Sequence, residues 1–169
     1  MPEHIPGLYL AASKCSPEVR KAAKLPLITK LSPNVSRIAD FAKAVIDSGS
    51  DIVSLINTIP GMAIDIKTRK PMIANITGGF SGPALKPLAL RMVYEVANAV
   101  NAPIIGMGGI FSADDAIEFM LAGADAVAVG TAIFANPTAP LKIIDGINRY
   151  LDENKIGKVS ELVGKIDLS

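Results

Sequence analysis

Four short apolar runs rich in β-branched residues, each followed by a helical pattern, restrict the fold more than any other feature of this sequence. The runs are PLITKLS (26–32), DIVSLINT (51–58), APIIGMGG (102–109) and DAVAVGT (125–131). Strands that alternate with helices along a chain form a parallel sheet, because each helix provides the crossover between neighbouring parallel strands. The sequence therefore predicts an α/β fold whose strands are covered by helices.

Helix start and stop signals support this alternation. The apolar pattern between the first two runs ends at Gly49, and glycine commonly follows the last turn of a helix. Pro87 suits the first position of a helix, where its missing N–H has no cost. Ser112 and Asp115 have the spacing of a capping box, which predicts the start of another helix. A last amphipathic helix is predicted to begin near Pro140.

Residues 59–86 interrupt the alternation. They contain MAIDIKTRKPMIA, in which two short extended runs flank a KTR turn, and then the glycine-rich TGGFSGP. This pattern predicts a hairpin and a loop that lie over the strand ends. Residues 1–25 have only a weak helical pattern after Ser16-Pro17. The sequence therefore predicts a poorly patterned N-terminal segment, followed by one domain over residues 26–169.

Composition excludes several functional classes. The 169 residues are 50% hydrophobic and carry a net charge of +1, so no broad charged surface indicates nucleic acid or an anionic membrane. A single cysteine rules out internal disulfides. No apolar run approaches the roughly 20 residues of a membrane helix, and the start lacks the pattern of a secretory signal. We therefore expect a cytoplasmic protein.

Two glycine turns follow the third and fourth apolar runs: GMGG at 106–109 and GT at 130–131. Ligands of parallel α/β sheets bind at the carboxyl ends of the strands, where a phosphate can rest on backbone N–H groups. Glycine permits that close approach and allows positive φ. One such turn is more often only a tight connection, but a pair on successive strands favours a phosphate site. The spacing does not match the dinucleotide-binding fingerprint.

Taken together, five segments in this order resemble dihydroorotate dehydrogenase, and most closely its class 1B catalytic subunit: KLSPN (30–34), INT (56–58), TGGFSGPALKP (77–87), GMGGI (106–110) and AVAVGT (126–131). The resemblance covers about residues 25 to 166. It implies the C-terminal half of a TIM (β/α)₈ barrel, in which the four predicted strands are the fifth to eighth. It also implies oxidation of dihydroorotate to orotate through FMN, in pyrimidine biosynthesis. A partner electron-transfer subunit would carry FAD and an iron–sulfur cluster and pass electrons to NAD.

The same resemblance assigns individual positions. Lys30 would lie beside the flavin ring, where a cation favours the anionic reduced flavin. Without the family, a lysine at a strand end is equally typical of a side chain that reaches into solvent. Asn57 and Thr58 would hydrogen-bond the orotate ring, although these residue types after a strand more often form an ordinary turn. The positions implied for FMN are Lys30, Ile56, Gly82, Gly108, Gly109, Gly130 and Thr131.

The catalytic base of class 1B enzymes is a cysteine in a Cys-Pro-Asn motif after the fourth barrel strand. Cys15 lies in SKCSPEV, which does not match, so that role is not transferred and Cys15 is interpreted as a free structural or surface thiol. His4 is the only histidine and lies in the irregular start, so neither a histidine base nor a histidine-rich metal site is expected. Asp114, Asp115 and Glu118 are interpreted as a capped, solvated helix face.

Four βα units cannot close an eight-stranded barrel. The sequence is therefore interpreted as the C-terminal half of the enzyme, from a truncated, split or frameshifted gene, and as inactive alone. Open strand edges are expected at 26–31 and 125–130, to be covered by a complementary N-terminal half or by a homo-oligomer. Two alternatives stay open: a non-catalytic half-barrel that binds FMN or phosphate, and another phosphate-substrate barrel such as an isomerase or synthase.

Overall fold

A computed structural model describes residues 17–169 and forms an α/β fold around a parallel sheet. The elements, in chain order, are α1 (17–22), β1 (Ile28–Lys30), α2 (Ile38–Asp47), β2 (Ile52–Leu55), β3 (Ile59–Gly61), β4 (Ile64–Asp65), β5 (Lys70–Pro71), β6 (Gly78–Phe80), α3 (Lys86–Ala97), β7 (Ile104–Met107), α4 (Ala113–Leu121), β8 (Ala126–Ala128), α5 (Ala132–Ala135) and α6 (Ala139–Glu153). Short 3₁₀ turns lie at Pro83–Leu85 and Val159–Glu161.

The main sheet contains four parallel strands in the order β1-β2-β7-β8. Each strand lies within one of the four apolar runs, which confirms the predicted alternation. Each of these four strands pairs in the sheet with the next of the four along the chain. Ile28 lies opposite Ile52, Val53 opposite Ile104, and Ile105 opposite Ala126. Parallel strands joined in this way align their carboxyl ends along one edge of the sheet.

Helices cover one face of this sheet and form the core with it. Val53 and Leu55 of β2 and Ile104 of β7 point to that face and are buried. They pack in one apolar cluster with side chains from three helices: Ala42 and Val45 of α2, Val93 and Val96 of α3, and Ala116 and Phe119 of α4. This burial is the main favourable contribution to folding.

The opposite face and the two sheet edges are less covered. The strand register places Ile28, Lys30 and Ile105 on this second face, where Ile28 is 48% exposed and Ile105 is partly buried. Within residues 17–169, β1 and β8 each pair with a single strand, so each presents an open edge. Open edges with apolar neighbours favour association with further strands.

The predicted helix boundaries are confirmed, with one small shift. Gly49, at φ +100°, follows α2. Ser112 and Asp115 form the capping box that begins α4, with the Asp115 N–H donating to the Ser112 hydroxyl at 3.1 Å. Pro87 is the second rather than the first residue of α3, which begins at Lys86. The helical pattern after Pro17 corresponds to α1.

The segment between β2 and α3 departs from the main sheet, as predicted. β3 pairs antiparallel with β6, and between them β4 and β5 form a smaller hairpin. The Asp65 carboxylate caps the tight turn of that hairpin by accepting from the N–H groups of Lys67 at 2.8 Å and Thr68 at 3.2 Å. Part of the glycine-rich stretch is therefore a strand, since Gly78 and Gly79 belong to β6.

Two sequence-based expectations concern residues that the structure does not describe. His4 and Cys15 both lie before Pro17, outside the described residues. Among the helices formed by residues 17–169, none is both long enough and apolar enough to cross a bilayer.

Candidate functional site

A cavity of about 170 Å³ opens at the carboxyl ends of β2, β7 and β8. It brings together six of the positions that the sequence singles out. These are Ile56, Thr58, Gly108, Gly109, Gly130 and Thr131. Ser81, Leu85, Met107 and Phe111 are among the other lining residues. The two glycine turns are thus adjacent in space, as expected for successive parallel strands.

The first glycine turn is held by packing against the start of α3. Gly108 and Gly109 have φ values of +127° and +79°, which other residue types rarely adopt. A Cβ on Gly109 would lie 2.7 Å from the backbone nitrogen of Lys86, and one on Gly108 would lie 2.9 Å from the Cβ of Ala89. Both glycines are therefore required by the fold itself, whether or not a ligand binds beside them.

The second turn differs, because nothing within residues 17–169 requires a glycine there. No heavy atom lies within 4 Å of the position of a Cβ on Gly130, and its φ is outside the range that favours glycine. Gly130 is exposed and lines the cavity. The space that a side chain would fill is thus open to a ligand.

Three residues that line this space have backbone donors without a partner in the described part of the chain. The N–H groups of Gly109, Gly130 and Thr131 donate to no acceptor within residues 17–169. Backbone donors without a protein acceptor at the edge of a cavity are the groups that bind anions. The Thr131 hydroxyl adds a polar atom and donates to the Ser81 hydroxyl at 3.0 Å.

Lys30, Asn57 and Gly82 are not among the lining residues of the cavity. Lys30 is exposed at the end of β1, and its ammonium has no hydrogen-bond or ion-pair partner among the described residues. Three strand spacings of about 4.8 Å separate β1 from β8, so Lys30 lies roughly 14 Å from the second turn along the sheet edge. Gly82, at φ +109°, places its carbonyl oxygen 3.0 Å from the position of a Cβ on Gly109.

The residues after β2 present different groups to the site. The Ile56 N–H donates to the Met107 carbonyl at 3.0 Å, so a ligand could form a backbone hydrogen bond only with the Ile56 carbonyl oxygen. The Asn57 carboxamide oxygen accepts from the Thr58 N–H at 3.0 Å, which leaves the amide NH₂ group available. The Thr58 side chain is exposed and lies beside Gly79, where an added Cβ would overlap it.

A charged cluster lies behind the first glycine turn. The Lys86 ammonium donates to the Asp115 carboxylate at 2.7 Å and to the Glu118 carboxylate at 3.0 Å. The Asp115 side chain is only 15% exposed, so the interpretation of this helix face as solvated is wrong for Asp115, whereas Asp114 is exposed. Partial burial opposes ionisation of Asp115, but hydrogen bonds from Lys86, Phe111 and Ser112 outweigh it and lower its pKa. The hydrogen bonds to Asp115 and Glu118 raise the pKa of Lys86.

The family model for dihydroorotate dehydrogenase matches residues 10–151, which is most of the chain. The chain belongs to the dihydroorotate dehydrogenase family. Its four-stranded parallel sheet and glycine-lined cavity are therefore features of a member of that family.

Individual proteins support the same assignment. The chain is 59% identical over 148 residues to the catalytic subunit of dihydroorotate dehydrogenase B (NAD(+)) from Alkaliphilus oremlandii (strain OhILAs), a match that covers 88% of this chain and 49% of that protein. The same subunit from Desulforamulus reducens (strain ATCC BAA-1160 / DSM 100696 / MI-1) is 54% identical over 162 residues, covering 96% of this chain and 53% of that protein. The chain thus spans about half the length of the curated relatives it matches.

A solved structure supports the fold. The crystal structure of DHODH in complex with ferulenol from Eimeria tenella matches with a TM-score of 0.69 and 27% sequence identity. The match covers 85% of this chain and 39% of that one. An α/β fold with a parallel sheet of the dihydroorotate dehydrogenase type is therefore established for this part of the chain.

Sequence reasoning missed two groups at the site of this dihydroorotate dehydrogenase family member. Ser81 lines the cavity and pairs with Thr131 from 50 positions away. Lys86 pairs with Asp115 from 29 positions away. The only signal in the sequence was their place inside TGGFSGPALKP, which carries no information on a distant partner. Among residues 17–169, no group of three or more His, Cys, Asp or Glu side chains could hold a metal ion.

Proposed function

We propose that this chain forms the FMN phosphate site and part of the dihydroorotate site of a class 1B dihydroorotate dehydrogenase, which oxidises dihydroorotate to orotate in pyrimidine biosynthesis. In this proposal residues 26–169 are one domain that corresponds to the fifth to eighth strands of a (β/α)₈ barrel. The observation that carries the proposal is the open space at Gly130, beside a second glycine turn on the neighbouring strand. A bare backbone facing a cavity is typical of a phosphate site.

The residues present fit the phosphate end of FMN. The unpaired N–H groups of Gly109, Gly130 and Thr131 supply donors, and the Thr131 hydroxyl supplies one more. Hydrogen bonds to a charged phosphate are stronger than those between neutral groups. We therefore assign Gly108, Gly109, Gly130 and Thr131 to the phosphate.

The edge of the sheet also fits an elongated ligand. The roughly 14 Å from the second turn to Lys30 suits a molecule with a phosphate at one end and a flat ring at the other. Lys30 would then place a positive charge at the ring, while Ile56 and Gly82 would contact the ring through their backbones. FMN, when bound, would supply the acceptor for the two electrons that dihydroorotate loses. The free amide of Asn57 and the hydroxyl of Thr58 would hold the amide groups of the orotate ring.

The partners follow from the same proposal. The relatives are named as the catalytic subunit of an NAD(+)-linked enzyme, which implies a second, electron-transfer subunit. FAD and an iron–sulfur cluster would belong to that subunit. The open edges of β1 and β8 would be covered by a complementary N-terminal half or by another copy of this chain.

A specific observation favours a second candidate, a non-catalytic module that binds FMN or phosphate. Residues 17–169 contain neither cysteine nor histidine, so the described cavity offers no side chain of either type as a general base. A module of this kind would retain the phosphate site without turnover.

Titration of the purified chain with FMN and with riboflavin tests the proposed site. Riboflavin has the same ring without the phosphate, so we expect FMN to bind at least about tenfold more tightly, which corresponds to about 1.4 kcal/mol. Quenching of flavin fluorescence measures both affinities. Equal affinity for the two flavins would contradict the phosphate assignment, and binding of a sugar phosphate but not of FMN would favour a different phosphate-substrate barrel.

Lys30→Ala should lower the reduction potential of bound FMN without lowering thermal stability, because its exposed ammonium contacts no described residue. A nearby cation stabilises the more negatively charged form of the ring. The measurement is equilibration with redox dyes, in a chain joined to the N-terminal part of a curated relative. Lys43→Ala, on the exposed side of α2, is the matched control. An unchanged potential with a lower melting temperature would assign Lys30 a structural role.

A further inference from the structure

We propose that Lys86 and Asp115 are positioning residues that hold the first glycine turn in the conformation required for phosphate binding. This inference rests on the proposed function, because it concerns the same phosphate site. Neither residue lines the cavity, so both would act through the turn and not on the ligand.

The Asp115 carboxylate joins two segments that border the turn. One oxygen accepts from the N–H groups of Phe111 at 2.8 Å and Ser112 at 2.9 Å, immediately after the turn. The other oxygen accepts from the Lys86 ammonium at 2.7 Å, at the first residue of α3. A single side chain therefore ties the C-terminal side of the turn to α3.

Lys86 contacts the turn from the opposite side. Its backbone nitrogen lies 2.7 Å from the position of a Cβ on Gly109, so the turn rests directly on the start of α3. Its side chain extends to Asp115. The end of the first glycine turn and the residues that follow it, from Gly108 to Phe111, are thus held between the Lys86 backbone and the Asp115 carboxylate.

Partial burial strengthens the ion pair between Lys86 and Asp115. The side chains of Lys86 and Asp115 are 25% and 15% exposed, whereas Glu118 is 43% exposed. Partly buried pairs are screened by salt less than surface pairs. The Lys86 charge is also neutralised by two carboxylates, so Lys86 is not the cation that receives the phosphate, despite its place in a glycine-rich segment.

The test compares FMN and riboflavin binding in Lys86→Met and Asp115→Asn variants of the full chain. We expect FMN affinity to fall about tenfold, the effect of losing roughly one hydrogen bond to a charged group, and riboflavin affinity to stay within about twofold. Lys86→Arg should bind FMN as tightly as the unaltered chain, because a guanidinium can keep the ion pair with Asp115. Glu95→Gln breaks the exposed Arg91–Glu95 pair of α3 and is the control, with both affinities unchanged.

A second readout does not depend on FMN. Amide hydrogen exchange of Phe111 should be slow in the unaltered chain and at least about tenfold faster in Asp115→Asn, while exchange in β7 is unchanged. Equal losses of FMN and riboflavin affinity, or exchange that increases equally at all sites, would overturn the positioning role. If the unaltered chain binds FMN and riboflavin equally, the proposed function fails, but the exchange data still decide whether this pair holds the turn.

Discussion

Gly130→Val should reduce FMN affinity by at least about 100-fold while leaving the melting temperature unchanged. The Gly130 backbone is not in a glycine-specific conformation, and in the part of the chain that the structure describes no atom beyond its two neighbours lies within 4 Å of the added Cβ. The folded protein therefore accepts the side chain, which fills the space that we assign to the phosphate. Loss of two hydrogen bonds to a charged group, at about 1.5–3 kcal/mol each, corresponds to at least this decrease in affinity.

Two further glycine variants separate ligand binding from folding. Gly109→Val should weaken FMN binding and also destabilise the fold by at least about 2 kcal/mol, because valine at φ +79° is strained and its Cβ meets the Lys86 backbone. Gly157→Ala, whose added Cβ meets only the end of the Glu161 side chain at 3.4 Å, should change neither property. The measurements are flavin titration and thermal unfolding of all three variants. Normal FMN affinity in Gly130→Val would show that the phosphate does not bind at the second turn.

The 169-residue chain, purified alone, should show no measurable oxidation of dihydroorotate, even with excess FMN. A general base contributes about 10²- to 10⁴-fold to the rate of a reaction, and residues 17–169 contain no cysteine, the residue type that the class 1B resemblance implies for this base. Among residues 17–169 the parallel sheet also has two open edges, and Ile28 on its less covered face is 48% exposed. Under the proposed function, another segment would supply the rest of the catalytic site and cover these edges.

Complementation tests whether a second segment completes the catalytic site. Co-expression with the N-terminal part of the Alkaliphilus oremlandii relative, of which this chain matches 49%, should strengthen FMN binding and give dihydroorotate-dependent dye reduction. The isolated chain should self-associate through its open edges, which size-exclusion chromatography would detect. Cys15→Ala is the decisive control. If the isolated chain turns over and Cys15→Ala does not, Cys15 is the catalytic base and the half-enzyme hypothesis is wrong.

The elements of the fold were determined largely by local sequence. The four apolar runs became the four parallel strands, and the Ser112–Asp115 spacing became a capping box. The KTR turn became a hairpin in which Asp65 caps the backbone. These features could be predicted because strand periodicity, caps and tight turns depend on residues close together in the chain. The assignment of individual residues to FMN and orotate stays a prediction.

The roles of the glycines were decided only by the tertiary structure. From the sequence, the three glycines assigned to the phosphate, Gly108, Gly109 and Gly130, had the same explanation, a ligand that needs close approach. In the structure, Gly108 and Gly109 are required by packing against the start of α3, whereas a Cβ on Gly130 would meet no other described residue within 4 Å. Only the tertiary structure shows that Ser81 contacts Thr131 and that Lys86 contacts Asp115. These pairs are separated by 50 and 29 positions in the chain. Such contacts depend on how helices and strands pack, and local patterns do not encode which distant atoms will meet.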